Sequence, residues 1–217
     1  MPSPARLRTS SGSVAGVVDA SLTRFFGAIA ANDAEAALRL VTPELARARI
    51  EKGAQRHDAG EFWRAEIGHY VYRGDTALHV AAAGYAARVA RALIAAGADV
   101  AARNRRGAAP LHYAADGMPG STRWNPAAQA ETVAVLIQAG ADPNASDNSG
   151  VTALHRAVRT RCAAAVAALL AGGADPHRPN RNGSTPILLA TRQTGRGGSG
   201  SPEARAQQRE IIDLLAT

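Results

Sequence analysis

A six-residue signature returns four times in this chain, and its spacing constrains the fold more than any other feature. It reads GDTALH at residues 74–79, GAAPLH at 107–112, GVTALH at 150–155 and GSTPIL at 183–188. The leading glycines stand 33, 43 and 33 residues apart. A GAD triplet follows the first three copies at 97–99, 140–142 and 173–175, which is 23 residues after the leading glycine in the first and third units and 33 in the second. The basic period is therefore 33, with ten residues inserted in the second unit. A period of this size marks a row of stacked supersecondary units in place of one central core.

Within each unit the residues predict a pair of helices. Thr76 and Thr152 stand where an N-cap is needed, and Pro110 and Pro186 fall just inside the first turn, where a missing N–H does no harm. Leu78, Leu111 and Leu154 begin an apolar face that Ala81, Ala114 and Ala157 continue. The second helices carry Val89, Leu93 and Ile94, then Val133, Leu136 and Ile137, then Val166, Leu169 and Leu170, and Gly97, Gly140 and Gly173 are expected to end them as left-handed C-caps. Composition agrees: 51 alanines and only 4% aromatic residues imply a core of small and aliphatic side chains on closely spaced helices. No unit can cover its own apolar face, so stacking is obligatory.

The signature, the paired helices and the GAD loop resemble the ankyrin repeat over residues 74–217. The resemblance implies an all-α solenoid of helix-turn-helix units with short finger loops, and a non-catalytic protein-protein interaction module that docks partners in its concave groove. It also implies that His79, His112 and His155 bond the backbone of finger loops between units. Spread one repeat apart, these three cannot converge on a metal ion.

Units are expected to start near residues 71, 104, 147 and 180, within an array spanning 71–217. The fourth departs from the pattern, with Leu188 in place of histidine and a second helix (EIIDLL, 210–215) delayed by a Gly- and Ser-rich stretch at 194–201; it reads as a C-terminal cap. Residues 13–70 read as a helical N-terminal cap with a degenerate repeat, and 1–12 as a disordered N-terminus. Leu22, Phe25, Phe26 and Ile29 follow helical spacing, Asn32 and Asp33 turn the chain, and Ala36, Ala37, Leu38, Leu40 and Val41 continue it. Thr42 and Pro43 start a short helix expected to reach about Lys52, with Gly53 as its stop. Residues 54–61 read as loop. Phe62, Trp63, Ile67, Tyr70 and Tyr72 form an aromatic patch that either seals the junction of cap and array or offers a binding surface.

Candidate partner-binding residues lie at positions that the ankyrin pattern leaves variable: Tyr72, Arg73, Asp75, Arg105, Arg106, Tyr113, Asn148, Arg156, Arg159, Arg181 and Asn182. Six of these eleven are arginine and one is acidic, which predicts a basic groove suited to an acidic protein partner. The plainer alternative is that these arginines only solubilise the array. Trp124, in the inserted segment 117–126, is expected either to fold back as a plug or to anchor a partner. The net charge of +7 raises a nucleic-acid-associated protein as the rival, but 24 of the 25 basic residues are arginine, with Lys52 the exception, and no DNA- or RNA-reading motif is present.

Nothing in the sequence assembles a catalytic, cofactor or metal site. Cys162 is expected to be a buried, inert thiol beside Arg161, and the GRGGSG run at 195–200 lacks the strand and the Gly-Lys-Ser/Thr ending of a phosphate-binding loop. The single cysteine excludes an intramolecular disulfide and suggests a reducing compartment. With no apolar run of membrane-spanning length and no signal peptide in the N-terminal residues, a cytoplasmic monomer is expected.

Overall fold

The computed structural model of the chain describes residues 14–51, 63–64, 69–119, 124–192 and 202–216. The first twelve residues, Gly53, the 54–61 loop, Phe62, Ile67 and the 195–200 run lie outside the described residues, and of Trp63 only the backbone is described.

Helices α1 (Val14–Ala30), α2 (Ala34–Arg39) and α3 (Pro43–Arg47) come first, followed by a two-stranded antiparallel hairpin of β1 (Trp63–Arg64) and β2 (His69–Tyr70). The helix pairs of the array are α4 (Ala77–Ala83) with α5 (Ala87–Ala95), α6 (Pro110–Ala115) with α7 (Pro126–Gln138), and α8 (Ala153–Thr160) with α9 (Ala163–Ala171). The last pair is α10 (Pro186–Thr191) with α11 (Pro202–Leu215). First helices stack on first helices, α4 on α6 on α8 on α10, and second helices on second, α5 on α7 on α9 on α11. The stack begins one pair earlier, because α1 packs on α4 and α2 on α5. The N-terminal hairpin thus occupies the place of a repeat.

Local chemistry accounts for these boundaries. Hydroxyls of Thr42, Thr76, Thr152 and Thr185 accept the third backbone N–H of α3, α4, α8 and α10, as do the side-chain oxygens of Asp33 for α2 and Asn125 for α7. Each such cap is worth about 1 kcal/mol. Gly97, Gly140 and Gly173 adopt φ of +93°, +97° and +88° beyond the second helices, as their positions predicted. Leu78, Leu93, Leu111, Leu136, Leu154 and Leu169 are buried between layers, and Ala81, Ala114 and Ala157 have no exposed surface, so the first helices meet through methyl groups.

The helix begun at Thr42 ends at Arg47 and does not reach Lys52. The next residues are claimed by the first finger: Arg49 bridges Thr76, the Ile50 N–H donates to the Asp75 carbonyl at 2.8 Å, and the Ile50 carbonyl accepts from the Gly74 N–H at 2.8 Å. The same stitching continues down the array. Arg105 N–H donates to the Arg73 carbonyl (2.9 Å), Asn148 N–H to Arg106 (2.9 Å) and Arg181 N–H to Ser149 (3.0 Å). Contact between fingers is so close that a Cβ on Gly107, at φ +73°, would lie 2.4 Å from Asn148 Oδ1.

Candidate functional site

Three histidines join each unit to the next. In His79, His112 and His155 the Nδ1 accepts the backbone N–H of the N-cap residue, from Thr76 at 3.2 Å, Ala109 at 3.1 Å and Thr152 at 3.2 Å. The Nε2 donates to a carbonyl of the following finger, Ala108 at 3.1 Å, Val151 at 3.0 Å and Ser184 at 2.9 Å. These partners fix the neutral tautomer, since a proton on Nδ1 would face a backbone N–H. Burial lowers the pKa of all three, and for His112, with the Arg156 charge adding to burial, it falls to about 4. Both ring nitrogens are committed to backbone, which makes these residues inter-unit ties.

The floor of the concave face differs from expectation. Tyr113 is buried, its ring stacked on His69 (centroids 4.0 Å apart, 18° between planes), and its hydroxyl donates to both oxygens of the buried Asp75 carboxylate at 2.9 Å. Asn104 Nδ2 donates to Asp75 Oδ1 at 2.8 Å and to the Tyr113 hydroxyl at 2.9 Å. Arg156 is buried as well, its side chain 10% exposed. Its Nη1 donates to Asp116 Oδ2 at 2.9 Å and its Nη2 to Asp147 Oδ2 at 3.2 Å, while its buried Nε has no hydrogen-bond partner among the described residues. Asp75, Tyr113 and Arg156 are therefore corrected from exposed contact residues to parts of a closed polar floor. Asp75 lies at the base of its finger and Tyr113 and Arg156 on first helices, and each is turned toward a neighbouring unit, where hydroxyl, amide or carboxylate groups meet it.

Asp116 is the hub of this floor. It caps the C-terminus of α6 and also accepts from His69 Nε2 at 3.1 Å, tying β2 onto the array, with Arg159 Nη2 4.0 Å from its other oxygen. Burial alone would raise its pKa, but the Arg156 guanidinium and the His69 hydrogen bond outweigh burial and hold it well below the usual carboxylate range. Asp147 is likewise lowered: burial opposes, and the Ser149 N–H and Arg156 prevail. Both carboxylates are charged at neutral pH.

Sequence reasoning missed Asp116, Asp147 and His69. A signal for Asp147 existed. Asn104, Asp147 and Asn180 each stand three residues before a leading glycine, and each Oδ1 accepts N–H groups two and four residues on, at 2.8–3.1 Å. They shape the finger base, and only at 147 is the residue an acid whose second oxygen can take an arginine.

The rim is different. Arg73, Arg105, Arg106, Asn148, Arg181 and Asn182 are exposed, and Tyr72 is half-buried with the guanidinium carbons of Arg105 and Arg106 at 5.9 and 5.3 Å from its ring centre. Finger-to-finger hydrogen bonds bring these arginines to one edge. Two further arginines, unremarked in the sequence, clamp the fingers: Arg49 Nη1 donates to the Arg103 carbonyl at 3.1 Å, and Arg103 Nη1 to the carbonyls of Gly107 (2.7 Å) and Ser146 (2.6 Å).

Trp124 folds back. Half-buried against the core, it donates from Nε1 to Gln129 Oε1 at 2.8 Å, and buried Gln129 passes the contact on to the carbonyls of Ala114 (2.9 Å) and Asp116 (3.2 Å). Of the two arrangements expected at this position, the geometry displays the folded-back one. Beneath it Cys162 is fully buried, and burial pushes its thiol up to about 12, so it is protonated at neutral pH.

A cleft of about 760 Å³ opens between rim and floor, with Arg106, Arg156 and Arg159 among its charged walls and His69, Tyr70 and Met118 at its edge. Among the described residues no helix is long and apolar enough to cross a membrane.

Stacked helix pairs, left-handed glycine caps, stitched fingers and histidine ties define a helical repeat solenoid with a concave face. Family models for the ankyrin repeat match residues 73–105 and 106–148, and one for ankyrin repeats in many copies matches 136–190, together more than half of the chain. The chain belongs to the ankyrin repeat family, whose members are generally non-catalytic protein-protein interaction modules. Comparison with curated proteins gives no match.

Proposed function

We propose that this chain binds a protein partner with an acidic surface along the basic rim of its concave face. The observation that carries this reading is the row formed by Arg73, Arg105, Arg106 and Arg181, all exposed and set on fingers joined by backbone hydrogen bonds. Like charges held on one edge repel, and an acidic partner relieves that repulsion while accepting bidentate hydrogen bonds from the guanidinium forks. Tyr72 adds an aromatic surface in their midst, and Arg159 lies lower, on the wall of the cleft. The reading needs no cofactor. It carries with it a monomer working in the cytoplasm, in keeping with a single, buried thiol.

The test replaces Arg105, Arg106 and Arg181 together with Glu and leaves Arg156 in place, because Arg156 belongs to the floor. The variant is expected to keep its melting temperature and to lose the partner captured by the wild type from source lysate, through slower association at low salt. Unchanged capture with unchanged salt dependence would remove the rim from consideration. Polynucleotide binding that falls steeply with salt would favour the nucleic-acid reading in its place.

A further inference from the structure

The repeat alone does not make the cleft at the centre of the concave face. Part of its lining comes from segments that the repeat pattern does not supply: β2, with His69 and Tyr70, which precedes the array, and Asp116 to Met118 at the start of the inserted loop. Four large apolar side chains are exposed among the described residues, Tyr70 at 37%, Met118 at 41%, Leu188 and Ile212, and the first two both line this cleft. Apolar groups exposed together at a concavity mark a contact surface.

Its charges select the occupant. Among the described residues that line the cleft, the arginines Arg106, Arg156 and Arg159 outnumber the carboxylates Asp116 and Asp147 by one. Arg156 is held by both carboxylates and Arg159 Nη2 lies 4.0 Å from Asp116 Oδ1, so among these groups the surplus rests chiefly on exposed Arg106, with the Arg159 side chain 35% exposed at the opening. A single carboxylate matches this surplus. A dianionic phosphate would meet the two fixed negative charges of the floor. A space of about 760 Å³ accommodates a few side chains of an extended segment.

We propose that the cleft binds an extended acidic peptide, seating one glutamate or aspartate side chain between Arg106 and Arg159 and an adjoining bulky apolar side chain against Tyr70 and Met118. This rests on the protein-binding reading above and specifies the partner's local chemistry. The specificity would then belong to this chain's departures from the repeat, with the array as their scaffold.

The experiment uses the full chain and fluorescence anisotropy with synthetic peptides carrying a central glutamate beside leucine. Matched peptides place glutamine, lysine or phosphoserine at the glutamate position, or glycine at the leucine position. The glutamate-leucine peptide is expected to bind at least roughly ten-fold tighter than the glutamine and lysine forms, and tighter than the phosphoserine form. Arg106→Gln and Arg159→Glu should each abolish the glutamate preference, Met118→Ser should abolish only the leucine preference, and Arg205→Glu, on the exposed surface of α11, should change neither. Absence of a glutamate preference, tighter binding of phosphoserine, or equal loss in Arg205→Glu overturns the proposal. The rim variant separates the two readings: if peptides fail but replacing Arg105, Arg106 and Arg181 still abolishes capture from lysate, the cleft proposal alone falls; if that capture is also unaffected, both fall.

Discussion

On the floor of the concave face Arg156 is enclosed by Asp116 and Asp147, whereas on the rim Arg105, Arg106 and Arg181 are exposed and make no ion pair among the described residues. All four belong to the same residue type and to variable positions of the same repeat. Their difference lies in what the stacking places opposite them. A guanidinium held between two largely enclosed carboxylates is desolvated and ties two neighbouring units together, and its removal strands two charges. One on a fingertip remains hydrated, contributes little to stability and is available to a partner. The same residue type is thus divided between an enclosed structural position and an exposed rim.

Removing the acids gives the largest effect. Replacing Asp116 and Asp147 together with Ala leaves Arg156 as a buried, unpaired cation, and equilibrium urea unfolding should show a loss of about 3–5 kcal/mol. A loss no larger than that of a surface variant would dissolve the distinction between floor and rim.

Acid sharpens it from another side. The folded pKa of His112 lies near 4, below its ordinary 6.5, so the unfolded chain takes up the proton first. Stability is fully present above about pH 6.5, falls as pH drops and levels off near 4, for a total of about 3 kcal/mol from this residue. His79 and His155 shift in the same direction and add to it. A melting temperature that does not change across this window would contradict the assigned tautomers.

A smaller effect belongs to the inserted loop. Trp124→Ala removes the donor to Gln129 Oε1 and a half-buried indole, and should cost about 1–3 kcal/mol in urea unfolding. Binding of the glutamate-leucine peptide should survive in the fraction that folds. Loss of peptide binding with stability intact would make Trp124 an anchor.

The helix pairs, the left-handed glycines and the histidine ties were legible because each repeats at a fixed offset, and repetition separates a structural requirement from chance. Arg156 was not legible as a floor residue: its partners are 40 and 9 residues away, and Asp116 lies at the mouth of an insertion that the basic 33-residue period does not describe. Tyr113 and Asp75 were misplaced for the same reason. Their exposure depends on a neighbouring unit, on Asn104 and on a hairpin from outside the array, none of which the period describes. The early end of α3 is a competition between local helix propensity and the offer of strand-like pairing from the first finger, and sequence spacing shows only the first competitor.

The most direct test of the division between floor and rim is a pair of neutral substitutions, Arg156→Met and Arg106→Met, compared by urea unfolding in the same buffer. Arg156→Met should lower the unfolding free energy by about 3 kcal/mol or more, and Arg106→Met should stay within about 0.5 kcal/mol of the wild type. Equal losses in the two variants, or a greater loss at Arg106, would contradict the account.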